Sequence, residues 1–413
     1  MRRSTLSIAL ILALSAAANA APTRPAAPPL QLVETRPLET QLGDPSLPHA
    51  QASWVEMIDA AAHTIDLEHF YFAHRPGDAL QPVVDAIARA SKRGVRVRML
   101  LDAGMDKENQ PAADSMAKAL GCVLRRIDVK RQGGGVQHSK CMVVDAGDAF
   151  VGSQNLDWRA LSQIHELGVR MRDPVLAGAV ARVFERDWAS ADTTSGKPPI
   201  AADAQRWPRR VTMPDGATDV WVGASPPSMD PGLPWDRDLI TDRIHAAKQS
   251  IEVQLLQYGV SGYGKTDSTL HRALLAAIQR GVKVRLIISD WAIGGRNEAV
   301  LRSLARQGAE VRISRLAPYS GGYIPYARVE HCKFMVVDGN WLWVGTSNWE
   351  PSYFMDTRNV GVLMHSAALA KQAHGVFDRS WGAPSALAFG PDTKLEPTEH
   401  GARTPTGMKT YGE

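Results

Sequence analysis

Blocks of hydrophobic and polar residues in the first half of the chain predict helices and strands in alternation. Apolar residues three or four positions apart indicate amphipathic helices, and short apolar runs bounded by turn residues indicate buried strands. The predicted helices are Ala52–Ala62, Ala79–Ser91, Asp114–Leu120 and Val175–Ala189, and the predicted strands are Thr64–Phe72, Val95–Asp102, Cys122–Ile127 and Leu167–Met171. Strands that alternate with helices are typical of an α/β fold.

The same order of elements returns in the second half. The phrase KRGVRVRMLLD at Lys92–Asp102 recurs as QRGVKVRLIISD at Gln279–Asp290, and the strand Ile251–Tyr258 matches Ile65–Phe72. Such recurrence indicates an internal duplication. We therefore expect two duplicated α/β sandwich lobes related by a pseudo-two-fold axis, with mixed sheets flanked by helices and one active site between the lobes. The predicted lobes are residues 51–192 and 217–383, joined by a linker rich in Pro, Ser, Thr and Gly at residues 193–216.

One stretch of the chain occurs twice and carries the candidate chemistry. Its copies are VQHSKCMVVDAGDAFVGSQN at Val136–Asn155 and VEHCKFMVVDGNWLWVGTSN at Val329–Asn348. Both contain His-x-Lys, four residues, Asp, six residues, Gly, a hydroxyl residue, one further residue and Asn. The matched positions are His138, Lys140, Asp145, Gly152, Ser153 and Asn155 in the first copy and His331, Lys333, Asp338, Gly345, Thr346 and Asn348 in the second. Agreement at six such positions without a gap makes this the most specific signal in the chain.

The strand period places the reactive groups of each copy on one face. Each copy is predicted to form a β-hairpin, and residues two apart in a strand point the same way. Each hairpin can therefore present an imidazole, an ammonium, a hydroxyl and an amide together, a set that suits a phosphate group. The catalytic candidates are His138, Lys140, Asn155, His331, Lys333 and Asn348, and the candidate substrate contacts are Ser153, Thr346 and Ser347.

The two aspartates of the motif are interpreted differently. Asp145 and Asp338 have the opposite parity to the histidines and begin the predicted hairpin turns Asp145–Asp148 and Asp338–Asn340. Aspartate at a turn commonly accepts hydrogen bonds from nearby backbone. We therefore predict a structural role for both.

Composition and charge are those of a globular protein with no strong preference for one partner. The 413 residues suffice for two domains with their own cores, and a net charge of +4 permits an anionic substrate without requiring one. Only three cysteines occur, and no group of Cys, His and carboxylate residues has metal-site spacing. We therefore expect neither a disulfide framework, a metal nor another cofactor.

The N-terminus resembles a cleavable secretory signal. Met1–Ala20 has a charged start, an apolar segment at Leu6–Leu14 and the small-residue box Ala18-Asn19-Ala20. The mature protein is therefore expected to be periplasmic or secreted, with a Pro-rich lead-in at residues 21–50 and a loose polar tail at residues 384–413. No later apolar stretch is long enough for a stable membrane span. The oligomeric state is left open.

The paired motifs, HxKxxxxD followed by G[ST]xN, resemble those of the phospholipase D superfamily. The finer patterns GSQNLDWRALSQIHELGV (Gly152–Val169) and GTSNWEPSYF (Gly345–Phe354) are most similar to the branch of animal endolysosomal phospholipase D-like proteins. The resemblance implies a two-step phosphodiester reaction without metal, in which one histidine attacks phosphorus and the other protonates the leaving oxygen. By this resemblance His138 is the nucleophile and His331 the acid, although sequence symmetry alone permits either assignment. The lysines and asparagines would stabilise the charged transition state.

Each histidine also needs a neighbour that fixes its tautomer. Glu166 lies 28 residues after His138, where the resemblance implies such a carboxylate, so it is expected to orient His138. The same offset from His331 falls on Asn359, a departure from the pattern. Asp356 is therefore predicted as the partner of His331, with Asn359 as the alternative.

The sequence favours a phospholipid head group as the substrate, with single-stranded nucleic acid close behind. The sequence has no long apolar surface helix that would indicate strong membrane binding. It also has no dense basic run that would indicate tight nucleic-acid binding. Two other classes of function remain: an inactive anion-binding module that kept the fold, and a metallohydrolase.

Overall fold

The computed structural model describes residues 27–105, 107, 110–132, 134–191, 205–229 and 232–412. The predicted signal at Met1–Ala20 and much of the predicted linker lie outside these residues. None of the described helices is both long and apolar enough to cross a lipid bilayer.

The first lobe is built on a seven-stranded mixed sheet with the strand order β1-β9-β7-β6-β2-β4-β5. Its strands are β1 (Leu30–Thr35), β2 (Thr64–His69), β4 (Arg96–Asp102), β5 (Val123–Ile127), β6 (Cys141–Val144), β7 (Asp148–Gly152) and β9 (Glu166–Met171), and the short pair β3 (Phe72–Ala73) and β8 (Leu156–Asp157) stands apart. Its helices are α1 (Ala50–Ala60), α2 (Gln81–Lys92), α3 (Gln110–Leu120) and α4 (Pro174–Ser190).

The second lobe is built on a nine-stranded sheet with the order β10-β11-β19-β18-β17-β12-β15-β16-β20. Its strands are β10 (Arg209–Met213), β11 (Gly216–Ser225), β12 (Ser250–Leu255), β15 (Lys283–Ser289), β16 (Glu310–Ser314), β17 (Lys333–Val337), β18 (Trp341–Gly345), β19 (Asn359–His365) and β20 (Ala386–Ala388), with a separate hairpin of β13 (Ser261–Gly262) and β14 (Lys265–Thr266). Its helices are α5 (Asp236–Ala246), α6 (Thr269–Gln279), α7 (Glu298–Arg306), α8 (Pro351–Met355) and α9 (Ala367–Gly382).

The two sheets repeat one topology. The first sheet corresponds strand for strand to the inner seven strands of the second, from β11 to β16. In each, three parallel strands (β2, β4 and β5, or β12, β15 and β16) continue into the antiparallel motif hairpin (β6–β7, or β17–β18). The predicted α/β class with mixed sheets flanked by helices is confirmed.

The lobes join through a shared apolar core. That core unites residues of α4 and the first sheet with residues of α9 and the second sheet, including Val180, Val151, Phe377 and Val344. A separate core under α1 and α2 closes the outer face of the first lobe, and another under α5 and α6 closes that of the second. Burial of apolar area on this scale holds the two lobes in one arrangement. The site between them is therefore built on a rigid base.

Three segments expected to be irregular contribute strands at sheet edges. β1 lies in the predicted lead-in and pairs with β9, and β10 lies in the predicted linker and pairs with β11. β20 lies in the predicted tail and pairs with β16, after which Tyr411 and Lys409 exchange backbone hydrogen bonds with Tyr323. The expectation of a loose tail is therefore wrong. These strands lie in stretches predicted to be lead-in, linker and tail, and they pair at open sheet edges, which offer unpaired backbone groups.

Both motif aspartates sit at the hairpin turns and accept backbone hydrogen bonds. Asp145 receives them from the N–H groups of Ala62, His63 and Thr64 at 2.7, 2.8 and 2.7 Å. Asp338 receives the equivalent three from Lys248, Gln249 and Ser250 at 2.9, 2.7 and 3.0 Å. Each carboxylate thus ties its hairpin to the chain that enters β2 or β12.

Asp145→Ala is expected to lower the free energy of unfolding by about 2 kcal/mol, because three backbone donors lose a charged acceptor. Chemical denaturation of the purified mature protein, followed by circular dichroism, measures this loss. Asp59→Ala is the control, since it removes a carboxylate whose partner Arg89 is largely exposed and whose ion pair contributes little. Equal midpoints for the two variants would contradict the structural role of Asp145.

Candidate active site

The beginnings of the two motifs meet the opposite lobe. Gln137 forms a β-bridge with Arg358, which precedes β19, and Glu330 forms one with His165, which precedes β9. The backbone N–H of His138 donates to the carbonyl of Arg358 at 2.9 Å, and that of His331 donates to the carbonyl of His165 at 3.0 Å. Each motif histidine is therefore held beside the last large strand of the other lobe.

Because each motif histidine lies beside a strand of the other lobe, the residue that orients its imidazole comes from that lobe. Nδ1 of His331 lies 2.7 Å from Oε2 of Glu166, and Nδ1 of His138 lies 3.0 Å from Oδ1 of Asn359. The prediction that Glu166 orients His138 is therefore wrong, because both orienting contacts cross between the lobes. Within one lobe β6 and β9 are separated by β7, about 10 Å in strand spacing, which places the partner beyond reach.

Asp356 takes no part in orienting either imidazole. Its carboxylate forms an ion pair with Lys265 of the β13–β14 hairpin at 3.3 Å. The prediction of Asp356 as the partner of His331 is wrong as well. Asn359, the alternative, does contact an imidazole, but that of His138.

The two motif lysines are fully buried and point at the histidines of their own motifs. The Lys140 ammonium donates to the carbonyl of His138 at 2.6 Å, and that of Lys333 donates to the carbonyl of His331 at 2.8 Å. Burial lowers the pKa of Lys333 to about 8, although nearby Glu166 opposes the change. Burial and the charge of Lys333 lower the pKa of Lys140 well below its usual range. A bound anion would relieve this desolvated positive charge.

The imidazoles are also kept from gaining a second proton. Burial lowers the pKa of His138 well below its usual range, and the ammonium groups of Lys140 and Lys333 add to this effect. Burial lowers the pKa of His331 in the same way, and the two lysines and His138 add to it. The two imidazoles and the two ammonium groups therefore occupy one electrostatic environment, as one shared pocket requires.

The surroundings of the two histidines differ. Phe70 and Tyr353 each approach the His138 ring edge to face at a centroid distance of 4.9 Å. His331 has instead the carboxylate of Glu166, whose pKa burial raises well above its usual range. His138 thus has a neutral partner and aromatic walls, whereas His331 has a partner that can accept or share a proton.

The motif asparagines are buried and keep free polar atoms. Both side chains are almost fully buried, and their Oδ1 atoms have no hydrogen-bond partner among the described residues. Nδ2 of Asn155 lies 3.4 Å from the hydroxyl of Tyr71, which itself donates to Asp157 at 2.8 Å. A buried amide without its full set of partners is suited to a ligand that supplies them.

The predicted substrate contacts face the protein. Ser153 exchanges hydrogen bonds with the backbone of Leu167 at 3.0 and 3.2 Å, next to Glu166. Thr346 donates to Oδ1 of Asn359 at 2.8 Å. Ser347 lies between Thr346 and Asn348, so its side chain points to the opposite face of the strand. It donates to the buried carboxylate of Asp236 at 3.0 Å, and its predicted substrate contact is wrong. Ser153 and Thr346 support the strands that carry the orienting side chains.

A family model for the cardiolipin synthase, PLD-like domain matches residues 54–188 and 240–381. The chain belongs to the phospholipase D superfamily. It is therefore a phosphodiesterase of that superfamily, and the resemblance inferred from the motifs is confirmed.

Several relatives of this superfamily match most of the chain. The 5'-3' exonuclease PLD3 of Rattus norvegicus is 29% identical over 398 residues, which is 86% of this chain and 79% of the relative. Phospholipase D Y of Dictyostelium discoideum is 29% identical over 402 residues, 86% of this chain and 90% of the relative. A probable phospholipase D of Caenorhabditis elegans is 28% identical over 370 residues, 81% of this chain and 66% of the relative.

A solved structure shares the fold across both lobes. Phosphatidylserine synthase of Haemophilus influenzae superposes with a TM-score of 0.61 at 14% identity, covering 82% of this chain and 85% of that one. At this identity the likeness shows the fold alone.

The aromatic residues around His138 were not predicted. Phe70 follows the C-terminal end of β2, which is where ligand sites of α/β sheets collect. Tyr353 lies in the segment PSYF of the second motif pattern and is the third residue of α8. Their positions could have suggested a site, but their contact with His138 depends on how the lobes pack.

Activity is expected to fall as pH rises above about 8, because Lys333 then loses the proton that makes it cationic. The loss should approach tenfold per pH unit in kcat/KM, which reports ionisations of the free enzyme. Lys333→Arg should remove the part of this decline that comes from Lys333, since a guanidinium stays charged. Lys371→Arg on α9 is the control and should keep the wild-type profile. A flat wild-type profile from pH 7 to pH 10 would contradict the assignment.

Proposed function

We propose that the chain hydrolyses phosphodiesters through a phosphohistidine formed on His138. The observation that carries this proposal is the pair of imidazoles with both Nδ1 atoms held by partners from the opposite lobe. With Nδ1 engaged, Nε2 is the nitrogen with which each ring reacts. One imidazole can then attack phosphorus while the other handles the proton of the leaving oxygen.

The difference between the partners assigns the two roles. An amide oxygen fixes the Nδ1–H tautomer of His138 without favouring a second proton, so Nε2 keeps its lone pair for attack. The Glu166 carboxylate favours the imidazolium of His331, and the negative phosphodiester offsets the lysine charges that oppose it. His138 is therefore the nucleophile and His331 the general acid.

The reaction has two balanced steps. In the first, Nε2 of His138 bonds to phosphorus, the bond to the leaving oxygen breaks, and that oxygen takes a proton from His331. In the second, neutral His331 takes a proton from water, the water oxygen bonds to phosphorus, and the P–N bond breaks. Lys140, Lys333, Asn155 and Asn348 stabilise the charge on the phosphoryl oxygens in both transition states.

Single-stranded nucleic acid is the substrate class that the pocket favours. Phe70 and Tyr353 flank His138, and the largely exposed Tyr263 on the β13–β14 hairpin lies under the guanidinium of Arg296 at 5.6 Å. Aromatic faces and cations together suit stacked bases and a phosphate backbone. A phospholipid head group, which the sequence favoured, stays the second candidate, since Met355 on α8 and Tyr263 on the adjoining β13–β14 hairpin expose apolar surface.

One assay decides between the substrates. The purified mature protein receives a labelled single-stranded oligonucleotide and phosphatidylcholine liposomes side by side, with and without a chelator. Cleavage of the oligonucleotide alone supports the first substrate class, and head-group release alone overturns it. Loss of activity in the chelator would favour a metallohydrolase over the phosphohistidine route.

The signal pattern at Met1–Ala20 supports a periplasmic or secreted site of action.

A further inference from the structure

A second buried ionic cluster lies directly behind the His331–Glu166 pair. His165 precedes Glu166 in the chain, and Glu330 precedes His331. Nδ1 of His165 lies 2.8 Å from Oε2 of Glu330, and Nε2 lies 2.9 Å from Oε1 of Glu34 on β1. All three side chains are fully buried. The proposed reaction does not use any of them.

The cluster fixes the protonation state of His165. A neutral imidazole has only one N–H, yet both ring nitrogens here face carboxylate oxygens at hydrogen-bond distance. An imidazolium supplies a donor to each carboxylate, whereas a neutral ring would need one of the two carboxyl groups to be protonated. Although burial opposes it, the pKa of His165 is raised well above its usual range by its neighbours Cys332 and Glu330. Burial alone would raise the pKa of Glu330, but His165 and the backbone N–H of Cys332 outweigh it and lower that pKa.

Two members of this cluster, His165 and Glu330, lie together with Cys332 in an arrangement that would also suit a metal ion. Ligand atoms of His165, Glu330 and Cys332 lie within 4.8 Å of one another. However, each carboxylate oxygen already has a donor: Glu34 accepts from His165 and from the backbone of Asp44 at 2.7 Å. Glu330 accepts from His165 and from the backbone of Cys332 at 3.0 Å. The cluster is complete without a metal, which favours a proton at its centre.

The other half of the molecule places a cation at the matching position. Arg358 lies 193 residues after His165 and immediately precedes Asn359, the partner of His138. Its guanidinium pairs with the buried Asp187 of the first lobe at 2.5 and 3.1 Å. In both halves a buried cation therefore stands next to the orienting residue and pairs with a carboxylate of the opposite lobe.

We propose that His165 is a positioning residue whose imidazolium clamps Glu330 and Glu34, and thereby holds Glu166 against His331. The β-bridge between His165 and Glu330 sets the register in which the following residues, Glu166 and His331, meet. The clamp therefore acts through the backbone of these two segments. Loss of its charge would leave two buried carboxylates facing each other and would push the strands apart. A shift of about 1 Å at a catalytic pair can cost about 100-fold in rate. This inference rests on the proposed function.

Three variants of the full chain test the clamp, with bis(p-nitrophenyl) phosphate as the probe. His165→Gln is expected to lower kcat about 100-fold with little change in KM, because the substrate does not touch the residue. His165→Lys is expected to recover most of that loss, since an ammonium restores the cation between the carboxylates. His374→Gln is the matched control, because it removes a half-exposed histidine paired with Glu252 and should leave kcat unchanged.

A direct measurement decides the case even if the glutamine variant does not fold. Histidine-labelled wild-type protein is examined by ¹⁵N NMR, and the His165 ring is assigned by its disappearance in His165→Lys. Two protonated ring nitrogens at pH 7 support the clamp. A neutral ring at pH 7, a folded lysine variant as slow as the glutamine variant, or stoichiometric bound metal in the wild-type protein would overturn it. If His138→Ala is inactive while His165→Gln keeps full activity, only the clamp fails and the proposed reaction stands.

Discussion

His138→Ala is expected to lower kcat for a phosphodiester by at least about 10⁴-fold. The variant lacks the nitrogen that bonds to phosphorus, and removal of a covalent nucleophile leaves only the binding and charge stabilisation of the pocket. Product release by the purified mature protein, measured with the oligonucleotide, gives kcat. His245→Ala is the control, because its side chain is exposed on α5 and should keep normal turnover.

A trapped intermediate separates the two histidines. His331→Ala given an ester with a good leaving group should form the phosphohistidine but hydrolyse it slowly, so acid-labile phosphate accumulates on His138. Phosphate on His331 in the reverse variant would exchange the two roles. If the wild-type protein binds the oligonucleotide without turnover and His138→Ala binds it equally well, the protein is an anion-binding module and the proposed reaction is wrong.

Glu166→Gln is expected to lower kcat about 10³-fold. The amide can face Nδ1 of His331 with either its oxygen or its NH₂ group, and it cannot stabilise the imidazolium that serves as the general acid. The matched variant is Asn359→Asp, which changes an amide to a carboxylate beside His138 at 3.0 Å. This change should lower kcat less, because the nucleophile needs only its tautomer fixed, but it should lower the stability of the fold, because the Asn359 amide also donates to the carbonyl of Tyr353 at 2.8 Å. Steady-state kinetics of both variants, with folding checked by circular dichroism, give the comparison.

The two variants also test the crossed pairing. If Glu166 served His138, as the sequence offset suggested, Glu166→Gln would slow formation of the phosphohistidine without affecting protonation of the leaving group. An activated leaving group that needs no proton should therefore restore the rate of phosphohistidine formation in Glu166→Gln if the carboxylate serves His331. Failure of that rescue would contradict the contact between Glu166 and His331 as the functional one.

Much of the fold follows from local patterns. Apolar runs and turn residues predicted the motif hairpins, and the recurrence of Lys92–Asp102 as Gln279–Asp290 predicted the second lobe. These predictions depend on interactions close in sequence, or on comparing the chain with itself. The edge strands β1, β10 and β20 were missed, since each forms only where a distant sheet edge supplies hydrogen-bond partners.

The sequence by itself determined the reactive groups: two imidazoles, two ammonium groups and two amides in a pattern that permits phosphoryl chemistry. Only the tertiary structure decided their partners. Parity along a strand tells which side chains share a face, but it does not tell which strand of another lobe will lie opposite. Packing of α4 and α9 into one core brings Arg358 beside Gln137 and His165 beside Glu330, and the contacts of Glu166 and Asn359 follow from that.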